Sequence, residues 1–190
     1  MNLTRFAFHF VIVLFLSVTS LSQTASDSKT FSANGLSFNY PNGWTLKDDT
    51  NSDAQQLTLA RANNDVQIRV FAHKGRIAPE KFADAKKGFI DPYIAATNKQ
   101  FVAMGAKPEQ SPDSTEIAGQ KADGVKLAAN LGEPGAAKIY WALVGQRVVI
   151  LTIFGPDREI KQFTPAWDMI RTSIQIEDKS TPKPSPTPTP

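Results

Sequence analysis

Apolar and polar residues alternate with a period of two over several short stretches of this chain. Leu36, Phe38 and Tyr40 alternate with Ser37 and Asn39, as in a strand buried on one face. Asn34-Gly35, just upstream, is a hairpin-turn dipeptide, so residues 31–33 are expected to pair back onto that strand. Leu57 and Leu59 mark a third strand, and Val66, Ile68 and Val70 alternate with Gln67 and Arg69 in a fourth. Asn63-Asn64-Asp65 between these two predicts another hairpin.

The period changes over residues 79–104. Phe82, Phe89 and Tyr93, with Ala85 and Ala96, fall on one side of an amphipathic helix. Pro79 suits its first turn and Gly105 its end, while Pro92 in the middle predicts a kink or two successive helices. Strands resume at 114–117 and 122–129 around the turn Ala118-Gly119-Gln120. Residues 139–144 and 147–154, separated by Gly145-Gln146, carry the strongest strand signal. The nearly unbroken apolar run 148–154 marks a central strand covered on both faces. A final helix over 157–172 buries Ile160, Phe163, Trp167 and Ile170, restarting at Thr164-Pro165 as an N-cap followed by proline. A last strand over 173–176 closes the domain. Hairpin-joined strands with two helical blocks define an α+β domain with helices packed on an antiparallel sheet.

The ends read differently. Residues 1–22 have the plan of a secretory signal peptide: Arg5, an apolar run over 6–18, then Ser20-Leu21-Ser22 before a cut ahead of Gln23. A retained anchor is the alternative, but that run falls short of the ~20 residues a spanning helix needs. Residues 178–190 hold Pro182, Pro184, Pro186, Pro188 and Pro190 separated by Lys, Ser or Thr, which predicts a solvated, extended tail. A wall-spanning or glycosylated spacer is the sharper reading of the same alternation. The expected organisation is therefore a signal peptide (1–22), a globular domain (29–177) and a disordered tail (178–190).

Composition narrows the function. The chain has 190 residues, 41% of them hydrophobic and 21% charged, as in a soluble globular protein. There is no cysteine, which excludes disulfides, thiolate metal sites, a cysteine nucleophile and a lipid-bearing cysteine anchor. Without residues 1–22 the chain keeps 20 Lys and Arg against 18 Asp and Glu. The bases are scattered among acids, as in Lys81, Asp84, Lys86, Lys87 and Asp91, which argues against nucleic acid as a partner.

Candidate chemistry is sparse. His73 is the one histidine downstream of residue 22, and it reads as a solvated loop position after the fourth strand. No G-x-S-x-G nucleophile elbow occurs. Asp48-Asp49 with Asp53 is the one acidic knot, in the loop expected after Trp44, and it lacks the glycine and terminal glutamate of a calcium loop. Asp65, Glu80 and Asp84 stand apart, and the glycines at 119, 124, 132 and 135 lack the Lys-Ser/Thr ending of a phosphate loop. Trp44, Trp141 and Trp167 fall on apolar faces and read as core, with Tyr140 the exposed exception. Residues 130–135 read as a loop between strands, where binding function is often placed. No catalytic, cofactor-binding or metal-ligating residue is assigned, and no cofactor is expected.

Gly35-Leu36-Ser37-Phe38-Asn39-Tyr40-Pro41-Asn42-Gly43-Trp44 resembles the opening strand of PsbP-like domains, a short apolar strand followed by Pro and Trp. Residues 148–154, Gly155-Pro156, the interrupted helix with Trp167, and Ser173-Ile174 are similar to that family's ending, and the order of elements matches. The resemblance implies an α/β/α sandwich with a central antiparallel sheet, and a role in binding and assembly. No functional residue of the family matches a position here, and the lipid-bearing cysteine of many bacterial relatives is missing. Three functions follow. An exported, non-catalytic binding or assembly domain of the bacterial cell envelope, with an envelope protein as partner, fits best. A small-molecule carrier with a pocket between sheet and helix is the alternative. A hydrolase is disfavoured by the single histidine.

Overall fold

A computed structural model describes residues 28–177; the segments read as a signal peptide (1–22) and a tail (178–190) lie outside them. The central strand β9 (Arg147–Pro156) explains the architecture. Val149, Leu151 and Ile153 point to one side of it and Val148 and Ile150 to the other, all essentially inaccessible to water. Burying one such side chain is worth roughly 1.5–3 kcal/mol, so a strand apolar on both faces demands a layer above and a layer below.

The sheet around it has seven antiparallel strands in the order β3-β4-β5-β9-β8-β7-β6, with β9 in the middle. These are β3 (Trp44–Asp48), β4 (Ala54–Arg61), β5 (Gln67–His73), β6 (Glu109–Ile117), β7 (Gln120–Asn130) and β8 (Pro134–Val144). One face is covered by α1 (Phe82–Ala85), a π turn (Lys86–Ile90) and α2 (Asp91–Ala103). The other is covered by α3 (Asp157–Gln162), α4 (Thr164–Ser173) and a three-stranded sheet of β1 (Ser28–Ala33), β2 (Leu36–Pro41) and β10 (Gln175–Ile176). The result is the expected α/β/α sandwich of α+β class.

The tight hairpins follow from local chemistry. Asn34-Gly35, Ala118-Gly119 and Gly145-Gln146 each have φ > 0 at both residues, the conformation of a two-residue turn whose twist matches the flanking strands. Ala118 adopts it at φ 53° with its N–H donating to the Arg171 carbonyl at 2.8 Å. The final helical block buries Ile160, Phe163, Trp167 and Ile170, as its periodicity predicts.

Five details differ from the sequence expectation. The stretch after Trp44 is an edge strand rather than a loop, its alternation carried by only Trp44 and Leu46 beside polar residues. Strand β6 runs from Glu109, five residues earlier than its apolar signal, because an edge strand need bury little; Pro112 is tolerated there. The long helix breaks at the π turn, upstream of Pro92, which sits in the first turn of α2. The extra residue in that turn advances the buried stripe by five, from Ala85 to Ile90, and then to Ile94, Thr97 and Phe101; Ala96 is exposed as a result. Thr164 is the first residue of α4 and no cap: its hydroxyl donates to the Ile160 carbonyl at 3.2 Å. Finally, Tyr140 is 5% exposed, because β8 too is covered on both faces.

Two buried charges tie the layers together. Arg147, 6% exposed, opens β9 and donates from Nε to the His73 carbonyl (2.6 Å) and from the guanidinium to Asn34 O (3.2 Å), Gln55 Oε1 (2.7 Å) and Ala72 O (3.3 Å). Gln55, fully buried, donates in turn to the Ala33 carbonyl at 2.9 Å. Glu159, also 6% exposed, follows the other end of β9 and accepts the backbone N–H groups of Asp65 (2.8 Å) and Val66 (2.9 Å). Gly155 lets this hairpin press close: a Cβ there would lie 2.9 Å from the Val66 Cα.

Removing the Arg147 guanidinium leaves three backbone carbonyls and the Gln55 amide without their donor. Arg147→Ala is expected to lose about 3 kcal/mol in urea unfolding, and Arg147→Lys, which keeps the charge but not the fork, about 2 kcal/mol. Full stability in the lysine variant would show that charge alone matters there.

Candidate functional site: the flanks of helix α2

Helix α2 is narrower than the sheet beneath it. With Ile90 of the π turn, its Ile94 and Phe101 seal β7, β8 and β9 and leave a cleft along each flank. Under the helix these side chains pack in one cluster with Leu127, Ile139, Trp141 and Ile150.

The first cleft, about 440 Å³, lies over β3, β4 and β5. Those strands bury Leu57, Leu59, Ile68 and Val70 on the far face and present Lys47, Gln56, Thr58, Gln67 and Arg69 on the near one. Register places Lys47 opposite Thr58 and Thr58 opposite Arg69, a polar row across three strands. Phe71 and Tyr93 form the wall against the helix, their rings 6.4 Å apart. The Tyr93 hydroxyl is fixed against Thr152 Oγ1 at 3.0 Å. Arg69 donates to Gln67 Oε1 at 3.2 Å, and Lys47 pairs with Asp49 at 3.0 Å. This is a flat, donor-rich shelf bounded by aromatic rings. Its groups can hold and orient a ligand or a chain, but among the described residues no hydrogen bond links a shelf hydroxyl to a base.

The second cleft, about 320 Å³, lies on the opposite flank, between α2 and strands β6, β7 and β8. Trp141, 6% exposed, forms its floor, and the Lys86 ammonium sits 5.5 Å from the indole centroid.

The residues singled out from the sequence are scattered. His73 ends β5 rather than lying in a solvated loop; its ring packs 4.4 Å from Phe89 and Nδ1 lies 3.1 Å from the Gly75 carbonyl. Asp48 ends β3 and accepts the Thr50 N–H, while Asp53 accepts the Ser52 hydroxyl. Among the described residues no three His, Asp or Glu side chains converge as a metal site. Asp65 contributes its N–H to Glu159, Asp84 lies 3.9 Å from Lys81, and Glu80 is exposed. Trp44, Trp141 and Trp167 are all buried. The segment read as a loop over 130–135 is strand from Pro134; Leu131, Glu133 and Gly135 edge a cavity of about 360 Å³ floored by Phe101 and Phe154.

Sequence reasoning passed over Arg147, Gln55, Glu159 and the shelf. Gln67 and Arg69 were the available signal: a polar face on an inner strand means that nothing covers it.

One titratable group is strongly shifted. Tyr140, Gly124 and Asp113 lie in one row across β8, β7 and β6. The tyrosine ring lies over Gly124, where a Cβ would come within 2.3 Å of Cδ1, and its hydroxyl donates to Asp113 Oδ2 at 2.7 Å. Burial above all, then the Asp113 carboxylate, raises the phenol well above its ordinary value. Burial also lowers the Arg147 guanidinium from its usual range.

No protein-family profile and no curated protein matches this sequence. Solved structures do match. The solution structure of cyanobacterial PsbP (CyanoP) from Synechocystis sp. PCC 6803 aligns with a TM-score of 0.53 at 14% identity, over 82% of this chain and 96% of that one. A crystal structure from Bacteroides thetaiotaomicron VPI-5482 aligns with a TM-score of 0.52 at 14% identity, over 80% of this chain and 50% of that one. The chain therefore has the PsbP-like fold. At this identity the likeness speaks of fold and leaves the chemistry of the clefts to their own residues.

Because folding favours the neutral Tyr140 phenol, its contribution is complete below the unfolded-state pKa of about 10 and is lost as pH rises beyond it. Urea midpoints measured between about pH 8 and about pH 11 should fall more steeply for the native protein than for Tyr140→Phe. Parallel falls would mean that the phenol does not carry the effect. Gly124→Ala, which displaces the ring from Asp113, should cost about 2 kcal/mol in the same assay at neutral pH.

Proposed function

We propose that this protein is an exported, non-catalytic binding and assembly domain of the bacterial cell envelope that engages a protein partner through the β3–β4–β5 shelf. Residues 1–22 act as a signal peptide cut after Ser22, 29–177 form the binding domain, and the proline-rich tail 178–190 follows it. The observation that carries the reading is the open polar face on the inner strands β4 and β5. A fold that covers β9 on both sides but leaves β4 and β5 polar on one has a surface suited to a partner. The edge strand β3 beside it offers unpaired backbone groups for extension of the sheet. In support of export, residues 1–22 have the charge and length pattern of a signal sequence. No helix among the described residues is long and apolar enough to cross a membrane.

The test is capture of crosslinked partners from an envelope fraction, using tagged native protein, a Lys47→Glu/Arg69→Glu variant and a distant Lys121→Glu control. One partner at near-stoichiometric yield with native protein and control, reduced about tenfold or more by the shelf variant, is the expected result. Equal capture by all three moves the interface off the shelf, and empty capture from folded protein sinks the assembly reading. N-terminal sequencing of the envelope-derived protein should begin at Gln23.

A further inference from the structure

The chain contains two Asn-Gly pairs, at 34–35 and 42–43, and both form turns. In such a pair the glycine nitrogen has no Cβ beside it to obstruct its approach to the asparagine side-chain carbonyl. Attack requires the peptide between the two residues to rotate until its nitrogen faces Cγ. What holds each peptide in place therefore decides whether it reacts. At 34–35 the peptide is held. The Asn34 carbonyl accepts from Arg147 Nη1 at 3.2 Å, and the Gly35 carbonyl accepts the Glu177 N–H at 2.7 Å. A Cβ on Gly35 would lie 2.9 Å from the Glu177 carbonyl oxygen, so the turn is also crowded. Rotation there breaks the contacts that anchor the small sheet.

At 42–43 the peptide is free. Asn42 and Gly43 are both exposed, and a Cβ on Gly43 would meet no atom within 4 Å. Outside the strand ladders, no hydrogen bond involves either residue among the described residues. Gly43 has φ 80°, and glycine accepts the opposite sign as readily. The peptide can therefore flip while the strand ends Pro41 and Trp44 stay fixed. We infer that Asn42 is a site of spontaneous deamidation, whereas the fold protects Asn34. The Gly43 nitrogen, its proton taken up by hydroxide, attacks Asn42 Cγ. The N–Cγ bond forms, the Cγ–Nδ2 bond breaks, and the side-chain nitrogen leaves as ammonia with a proton from water. Water then opens the cyclic imide at either carbonyl, giving aspartate or isoaspartate at position 42. Both products add a negative charge to the connection between the small and large sheets, just ahead of the buried Trp44. Isoaspartate also lengthens the main chain there by a methylene.

The test is peptide mapping by mass spectrometry of the purified native protein, incubated in mildly alkaline buffer with and without urea. Cleavage after Phe38 separates the two sites. In urea both pairs lose their surroundings and should convert at similar rates. In the folded protein Asn42 should convert to a mixture of aspartate and isoaspartate. Asn34 should convert about tenfold more slowly, or slower still, because its peptide must first give up its hydrogen bonds. Equal rates at the two sites in the folded protein would overturn the inference, as would an Asn42 that converts only in urea. A lag of Asn34 behind Asn42 that is just as large in urea would assign the difference to local sequence and remove the protection by the fold.

Discussion

Strand β9 cannot be exposed on either face. Val148 to Ile153 place apolar side chains alternately above and below the sheet, and each side must be covered. The helices and the small sheet are the answer to that demand. α1 and α2 close one side, and α3, α4 and the β1-β2-β10 sheet close the other. The central position of β9 also sets the gradient of polarity across the sheet, from double burial in the middle to the polar edges β3 and β6.

The ends of β9 are held by opposite charges, each satisfied mainly by the backbone of a hairpin. Arg147 gathers carbonyls from the β1–β2 turn and the end of β5, and Glu159 gathers N–H groups from the β4–β5 turn. A hairpin turn has backbone groups with no partner in its own ladder, and burying them without one is costly. A single fork or carboxylate answers several at once. It also explains how a three-stranded sheet joined to the rest by short connections keeps its place: the Asn34 carbonyl and, through Gln55, the Ala33 carbonyl are both anchored to the large sheet.

Binding capacity arises from a mismatch of widths. One helix cannot cover seven strands, so α2 seals the middle of the sheet and leaves ground on either side. On the β3–β5 flank the chain spends polar residues on the open face, and on the β6–β8 flank it places a tryptophan under an ion pair. The π turn has two effects. It shifts the buried stripe so that Phe101 reaches Phe154, and it brings Lys86 and Asp91 to the same mouth.

Much of the fold was legible in local patterns: the period of two in β2 and β5, the turn residues at 34–35, 118–119 and 145–146, and the unbroken apolar run of β9. These depend on contacts between near neighbours and on burial of whole faces, which composition records directly. The strand β3, the polar length of β6 and the burial of Tyr140 were not legible, because edge strands bury little and because what covers a strand is decided elsewhere in the chain. The same holds for the sites. Arg147 and Glu159 look like surface charges until hairpins 74 to 113 and 93 to 95 positions away close over them. By itself the sequence determined the elements, their order and the strand that had to be central. Only the tertiary structure decided which polar groups were buried, which face of the sheet stayed open, and which residues met across α2, since each depends on long-range packing that no local pattern encodes.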